Sequence, residues 1–243
     1  ELFFDMAVLV AAFELTVAVL ADPGPTGVAV FIALFTALWW QWQGFVWFAD
    51  RFDTDDVAHR AGVVTGMAAL LVVPFAVTAD AGRVTVAAWF GVGIAVAELA
   101  LAGLYLRAAR LFAPARAFAL FCAALFATGA VLWAASALVP APYRYGVWAL
   151  ALAVETLSPF VRRGVVAVMP VRPRHIPERL GLFTMVSLGG AILLAAQAAP
   201  RVAGALPVAA AGFALAVALW WLYFAFADGT AIGAGSRRRV VFT

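Results

Sequence analysis

Eight apolar runs, each close to the ~20 residues a helix needs to cross a hydrocarbon layer of about 30 Å, dominate the chain and dictate its fold. They cover roughly residues 2–21, 27–49, 57–79, 85–106, 117–139, 144–161, 178–199 and 206–227. The breaks between them are polar or rich in Pro and Gly: Asp22-Pro23-Gly24-Pro25, the stretch from Arg51 to Asp56, Asp80-Ala81-Gly82-Arg83, Pro140-Ala141-Pro142, a longer segment 162–177 with three prolines, and Pro200 to Pro207. Thr54 is placed to cap the third helix. Composition points the same way. The chain is 66% hydrophobic and 12% charged, against about 45–50% and 25% in a soluble domain. So few charges cannot cover a surface in water. The expected fold is all-α: a polytopic membrane bundle of about eight transmembrane helices.

The basic residues give this parse an independent test. All 16 are arginine. The even-numbered connections and the tail hold Arg51, Arg60, Arg107, Arg110, Arg116, Arg162, Arg163, Arg172, Arg174, Arg179, Arg237, Arg238 and Arg239; the odd-numbered ones hold only Arg83, Arg144 and Arg201. Positive residues concentrate on the cytoplasmic side of membrane proteins. Eight spans with both termini cytoplasmic reproduce the alternation, and a missed span would scramble it. The expected location is a bacterial inner membrane, in contact with lipid. Residues 229–243 read as a basic cytoplasmic tail or as the start of a connection to further helices. The first run follows acidic residues (Glu1, Asp5), unlike a cleavable signal peptide. The single cysteine, Cys122, sits in an apolar run and reads as a small buried hydrophobe.

Four stretches together resemble one family. They are Glu1-Leu2-Phe3-Phe4-Asp5; Trp39-Trp40 leading to Arg51-Phe52-Asp53-Thr54-Asp55-Asp56 and Arg60; His175-Ile176-Pro177-Glu178-Arg179-Leu180-Gly181-Leu182-Phe183; and Leu219-Trp220-Trp221-Leu222-Tyr223-Phe224. They look like the bacterial low temperature requirement protein A (LtrA) family, and they run almost the whole chain. The resemblance implies a multi-pass membrane protein. The family name records a cold-growth phenotype rather than a reaction. The family's Leu-Gly-Glu in the seventh helix is Leu188-Gly189-Gly190 here, and family members usually carry further helices after the eighth. Leu38-Trp39-Trp40 with Phe48-Ala49-Asp50 also echoes Leu219-Trp220-Trp221 with Phe226-Ala227-Asp228. If this echo is a repeat, spans 1–2 recur as spans 7–8 in the same orientation, as in some transporters, and the parent fold has about twelve helices.

Three acids fall well inside spans: Glu14, Glu98 and Glu155. An acid at mid-membrane costs about 2.5–3.5 kcal/mol to insert and usually faces a cavity or a partner. No Arg or His lies at matching depth, so burial favours the neutral form. Each then serves either as an interhelical hydrogen-bond donor or as a site that takes up and releases a proton. Ser158-Pro159 follows Glu155 by one turn and can free a carbonyl beside it. Gly189 and Gly190 allow either a discontinuous helix at a substrate site or close packing of a neighbour.

A second cluster belongs to the cytoplasmic mouth: Glu1, Asp5, Asp53, Asp56, His59, Arg60, His175, Glu178 and Arg179. It reads as a charge network or gate, with Asp5 against Arg60 or Arg179 and Asp56 against Arg60. A divalent metal among its His, Asp and Glu residues is the sharper alternative; otherwise no cofactor is expected. Nucleic-acid binding is not, because the arginines follow topology rather than form a patch, and no nucleotide or hydrolase motif occurs. The favoured function is a transporter or permeation protein for a small solute or ion, proton-coupled through the intramembrane acids. An intramembrane enzyme or metal protein built on the His/Glu/Asp layer and a non-catalytic stress-adaptation subunit are the alternatives, and association with further copies stays open. Enzyme activity is the less expected outcome.

Overall fold

A computed structural model describes residues 2–52, 56–80, 83–161, 164, 175–198 and 205–226. It divides into two units, 1–170 and 171–243. In the first unit, α1 (Leu2–Glu14) and the short α2 (Val17–Ala21) are followed by α3 (Pro25–Arg51), α4 (Val57–Val72), strands β1 (Val77–Asp80) and β2 (Arg83–Val86), α5 (Trp89–Leu111), α6 (Arg116–Ser136) and α7 (Tyr143–Val161). The second contains α8 (His175–Ala198) and α9 (Ala205–Phe226). Seven helical stretches are long and apolar enough to cross a membrane. The 19-residue α7 fills the place of the remaining expected span; it carries Arg144, Glu155 and Pro159 among its apolar residues.

The distribution of polarity is that of a membrane protein. Large apolar side chains face outward, Phe3 (74% exposed), Leu20 (80%) and Phe75 (75%) among them, where water would penalise them and lipid does not. Asp5, Gln41, Asp50, Glu98, Ser136 and Glu155 are instead inside. In the first unit, α5 and α6 share the most extensive contact; α4 and α3 pack against α5, α1 against α4 and α3, and α7 against α6. α3 has 27 residues, a length of about 40 Å at 1.5 Å per residue. It therefore exceeds the hydrocarbon thickness and reaches past it or tilts.

Three boundaries differ from expectation. The first span is interrupted after Glu14, where Thr16 Oγ1 donates to Phe13 O at 2.6 Å and competes with the helical ladder. The third helix ends at Val72 rather than 79. Pro74 has no N–H to continue the ladder, and a 3₁₀ turn over Val73–Ala76 leads into β-branched residues suited to strands. The resulting hairpin pairs Val77 with Val86 and Thr78 with Thr85, and the two threonine hydroxyls lie 2.7 Å apart. Finally, α4 is capped by Asp56, whose carboxylate accepts from His59 N at 2.9 Å; the expected cap, Thr54, lies outside the described residues.

In the second unit, α8 runs without interruption from His175 to Ala198, so Gly189 and Gly190 do not divide it. Among the described residues a Cβ on Gly189 would meet nothing within 4 Å. α8 and α9 pack near Gly181, where a Cβ would touch Phe224 at 3.7 Å and Tyr223 at 3.8 Å. Tyr223 Oη donates to Pro177 O at 3.5 Å.

Candidate buried carboxyl site

Glu98 of α5 and Glu155 of α7 meet at the centre of the first unit, each 0% exposed. Gly129 of α6 makes their approach possible. A Cβ at that position would collide with Glu98 Oε2 and would stand 2.7 Å from Glu155 Oε1, closer than real Cβ contacts allow. The two carboxyls are in mutual hydrogen-bonding contact. Their other partners are neutral donors on two more helices. Gln41 Nε2 of α3 donates to Glu98 Oε1 at 2.8 Å, and Trp133 Nε1 of α6 donates to Glu155 Oε1 at 3.1 Å. The Trp40 indole also faces Glu155. Two negative charges so close in a low-dielectric interior repel strongly, so carboxyls in this arrangement share a proton. Pro159 adds one feature: lacking an N–H, it leaves the Glu155 carbonyl without its usual i+4 donor.

Aromatic layers flank the pair. Along α5, Phe90 precedes Glu98 by eight residues and Tyr105 follows it by seven, or about 12 and 10 Å of helix. On one side Phe90, Trp133 and Trp148 cluster, with ring centroids 5.0–6.3 Å apart. Trp148 Nε1 donates to Ser136 Oγ at 2.7 Å, and that hydroxyl donates to Trp133 O at 2.6 Å. On the other side Tyr105 packs against Phe48, Phe126 and Phe118 at 5.0, 5.6 and 6.2 Å. Cys122 is buried in the same region. Both layers are anchored on α5, with α6 and α7 completing the first and α3 and α6 the second.

Glu14, the third expected acid, does not join them: it is exposed at the end of α1. The acid that does enter the interior is Asp5. It is 0% exposed, and Trp42 Nε1 donates to its Oδ1 at 2.6 Å. Gln41 and Trp42, adjacent on α3, thus bind acids on two different helices, α5 and α1.

The expected cytoplasmic cluster is distributed over both units. Asp56 pairs with Arg107 of α5, a partner that the i, i+4 spacing to Arg60 did not suggest. The His59 backbone N–H and, after it, the Arg107 guanidinium hold the Asp56 carboxyl below the ordinary carboxylate range. His59 stacks on Phe48 with centroids 5.6 Å apart. Arg60 and Glu178 are exposed and Arg179 is buried. His175 opens α8, but its side chain, with Glu1 and Asp53, lies outside the described residues. Among the described residues no three His, Cys, Asp or Glu side chains lie close enough to hold a metal ion.

Sequence reasoning found both members of the pair but not Gln41, Gly129, Trp133 or Trp42. Gln41 carried a signal of its own, as an amide inside an apolar span. Gly129 and the tryptophans carried none, since glycine and interfacial tryptophan are ordinary in transmembrane helices.

Comparison with known proteins bears on the whole chain. The sequence profile of the family described as bacterial low temperature requirement A protein (LtrA) matches residues 1–242. An uncharacterised protein of Rhizobium meliloti (strain 1021) is 28% identical over 236 residues, covering 92% of this chain and 57% of that protein. The chain thus spans little more than half the length of that relative. No solved structure matches.

Proposed function

The chain belongs to the bacterial low temperature requirement A protein (LtrA) family, and we propose that it is a proton-coupled permeation protein for a small solute or ion. The observation that carries the reading is the Glu98–Glu155 pair, completely buried and bonded only to neutral donors among the described residues. A structural hydrogen bond between helices needs one polar group and a backbone acceptor. Two acids in contact are an expensive way to make one, and what they add is a proton that can be lost and regained. Their position between two aromatic layers supports an occluded site, reached from one side of the membrane at a time. The arginine distribution supports the orientation, with both termini cytoplasmic in a bacterial inner membrane.

The test is proton flux. Protein reconstituted into liposomes containing a pH-sensitive dye is given an external acid pulse. We expect wild-type protein to accelerate internal acidification over empty liposomes, and Glu98→Gln and Glu155→Gln each to lower the rate at least tenfold. Glu14→Gln should leave it unchanged, because that side chain lies outside the pair. Unaltered flux in both pair variants would remove proton coupling through these residues.

A further inference from the structure

Beyond the contact between the two carboxyls themselves, three oxygen atoms in the site have no hydrogen-bond partner among the described residues: Glu98 Oε2, Glu155 Oε2 and Gln41 Oε1. All three residues are 0% exposed. A buried acceptor without a donor costs about 1–3 kcal/mol and is rare enough to need an explanation. These three belong to one place. The Gln41 amide is fixed at the pair by its 2.8 Å bond to Glu98, and both carboxyls abut the open face of Gly129. We propose that Gln41, Glu98 and Glu155 form a binding site for a monovalent alkali cation, which enters as one carboxyl proton leaves.

The chemistry of the donors selects the ligand class. Carboxylate and amide oxygens are hard ligands suited to hard cations. The hydrogen-bonded neighbours of the pair, Gln41 and Trp133, are neutral, so mobile positive charge must balance the acids. Stripping a cation of water costs energy in proportion to the square of its charge, which makes a divalent ion far harder to bring between the aromatic layers. In the exchange one carboxyl O–H bond breaks, its proton passes to water, and the alkali ion takes up the exposed oxygens. The alkali ion replaces that shared proton one for one, so the charge of the site does not change. The transport significance of the site rests on the permeation reading; its binding chemistry does not.

Purified protein in detergent is titrated with NaCl, LiCl or KCl against choline chloride at constant ionic strength, and tryptophan emission is read. Trp133 donates to Glu155 and reports on the site directly. We expect a saturable response to at least one alkali ion and none to choline. Competition with one proton makes the half-saturating concentration rise about tenfold for each unit the pH is lowered. This pH dependence is measured on the wild-type protein and depends on no variant being stable. Glu98→Gln and Glu155→Gln should abolish the response, Gln41→Leu should weaken it at least tenfold, and Glu14→Gln should preserve it.

Identical behaviour in alkali and choline salts would overturn the proposal. So would a response that survives both glutamine variants, or one given by Mg²⁺ or Mn²⁺ alone. Proton flux in liposomes containing only choline separates the two readings: flux without alkali binding retires the cation site and leaves permeation standing.

Discussion

Replacing Gly129 by Ala tests the central geometry with the smallest possible change. The added methyl would collide with Glu98 Oε2, with Glu98 Cδ 2.9 Å and Glu155 Oε1 2.7 Å away. Overpacking of this kind costs about 1–3 kcal/mol. Alanine in a helix interior also gains up to about 1 kcal/mol over glycine. The single variant should therefore be destabilised by about 0–2 kcal/mol, an ambiguous result by itself. The decisive measurement is the cycle with Glu98→Ala. Once the Glu98 carboxyl is gone, the larger clash is gone with it; only Glu155 Oε1, 2.7 Å from the new methyl, must still shift, and helix propensity offsets up to ~1 kcal/mol of that cost. The two substitutions should therefore couple by about 1–3 kcal/mol, with Gly129→Ala markedly better tolerated in the Glu98→Ala background. Unfolding free energies from denaturant titration in mixed micelles, followed by circular dichroism, give all four corners. Additivity within about 0.5 kcal/mol would refute the claim that Gly129 exists to admit the carboxyls.

Trp42→Phe removes the 2.6 Å donor to buried Asp5 and should cost about 1–3 kcal/mol in the same assay. Gly189→Ala should be neutral or stabilising by up to about 1 kcal/mol, because its Cβ enters open space; a clear loss of stability would show that something covers that face. Asp56→Asn keeps a competent helix cap but loses the charge that pairs with Arg107. The folded-state pKa of Asp56 is depressed, so its ionic contribution is present above the ordinary aspartate value of about 3.9 and disappears as pH falls through the lower folded value. The stability gap between wild type and Asp56→Asn should therefore be present at pH 7 and close in strong acid.

What could be read from sequence follows from the solvent. Lipid demands long apolar helices with internally satisfied backbones, so the spans declared themselves by length and their order by the arginines. The errors fall where side chains compete with that rule. Thr16 and Pro74 each end a helix earlier than the apolar run does, and apolarity alone cannot report a lost ladder bond. Glu14 and Glu155 are both acids inside apolar runs, yet one is exposed and the other buried. The rotational setting of a helix that is apolar on every side is not written in its own sequence; it is decided by the helices packed around it. The same limit kept Gln41 from being assigned to Glu98, 57 residues further along.

The pair also explains how protonation can be felt beyond itself. Its members and partners come from four helices: Glu98 on α5, Glu155 on α7, Gln41 on α3 and Trp133 on α6. Two like charges about 4 Å apart repel by about 4 kcal/mol at an effective dielectric constant of 20. A neutral hydrogen bond contributes only about 0.5–1.5 kcal/mol. Loss of the shared proton with no cation to replace it therefore outweighs the single bonds from Gln41 or Trp133, and the carboxyls must move apart or gain water. α5 and α6 share the broadest contact, so the less supported carriers, α7 and its Glu155, are the ones that can yield. Any shift of Glu155 pulls on the Trp133 indole, and Trp133 is also held through Ser136 to Trp148. One aromatic layer is thus wired to the charge state of the pair. Among the described residues the other layer, around Tyr105, makes no hydrogen bond to the pair, so the two layers differ in how directly they meet its charge.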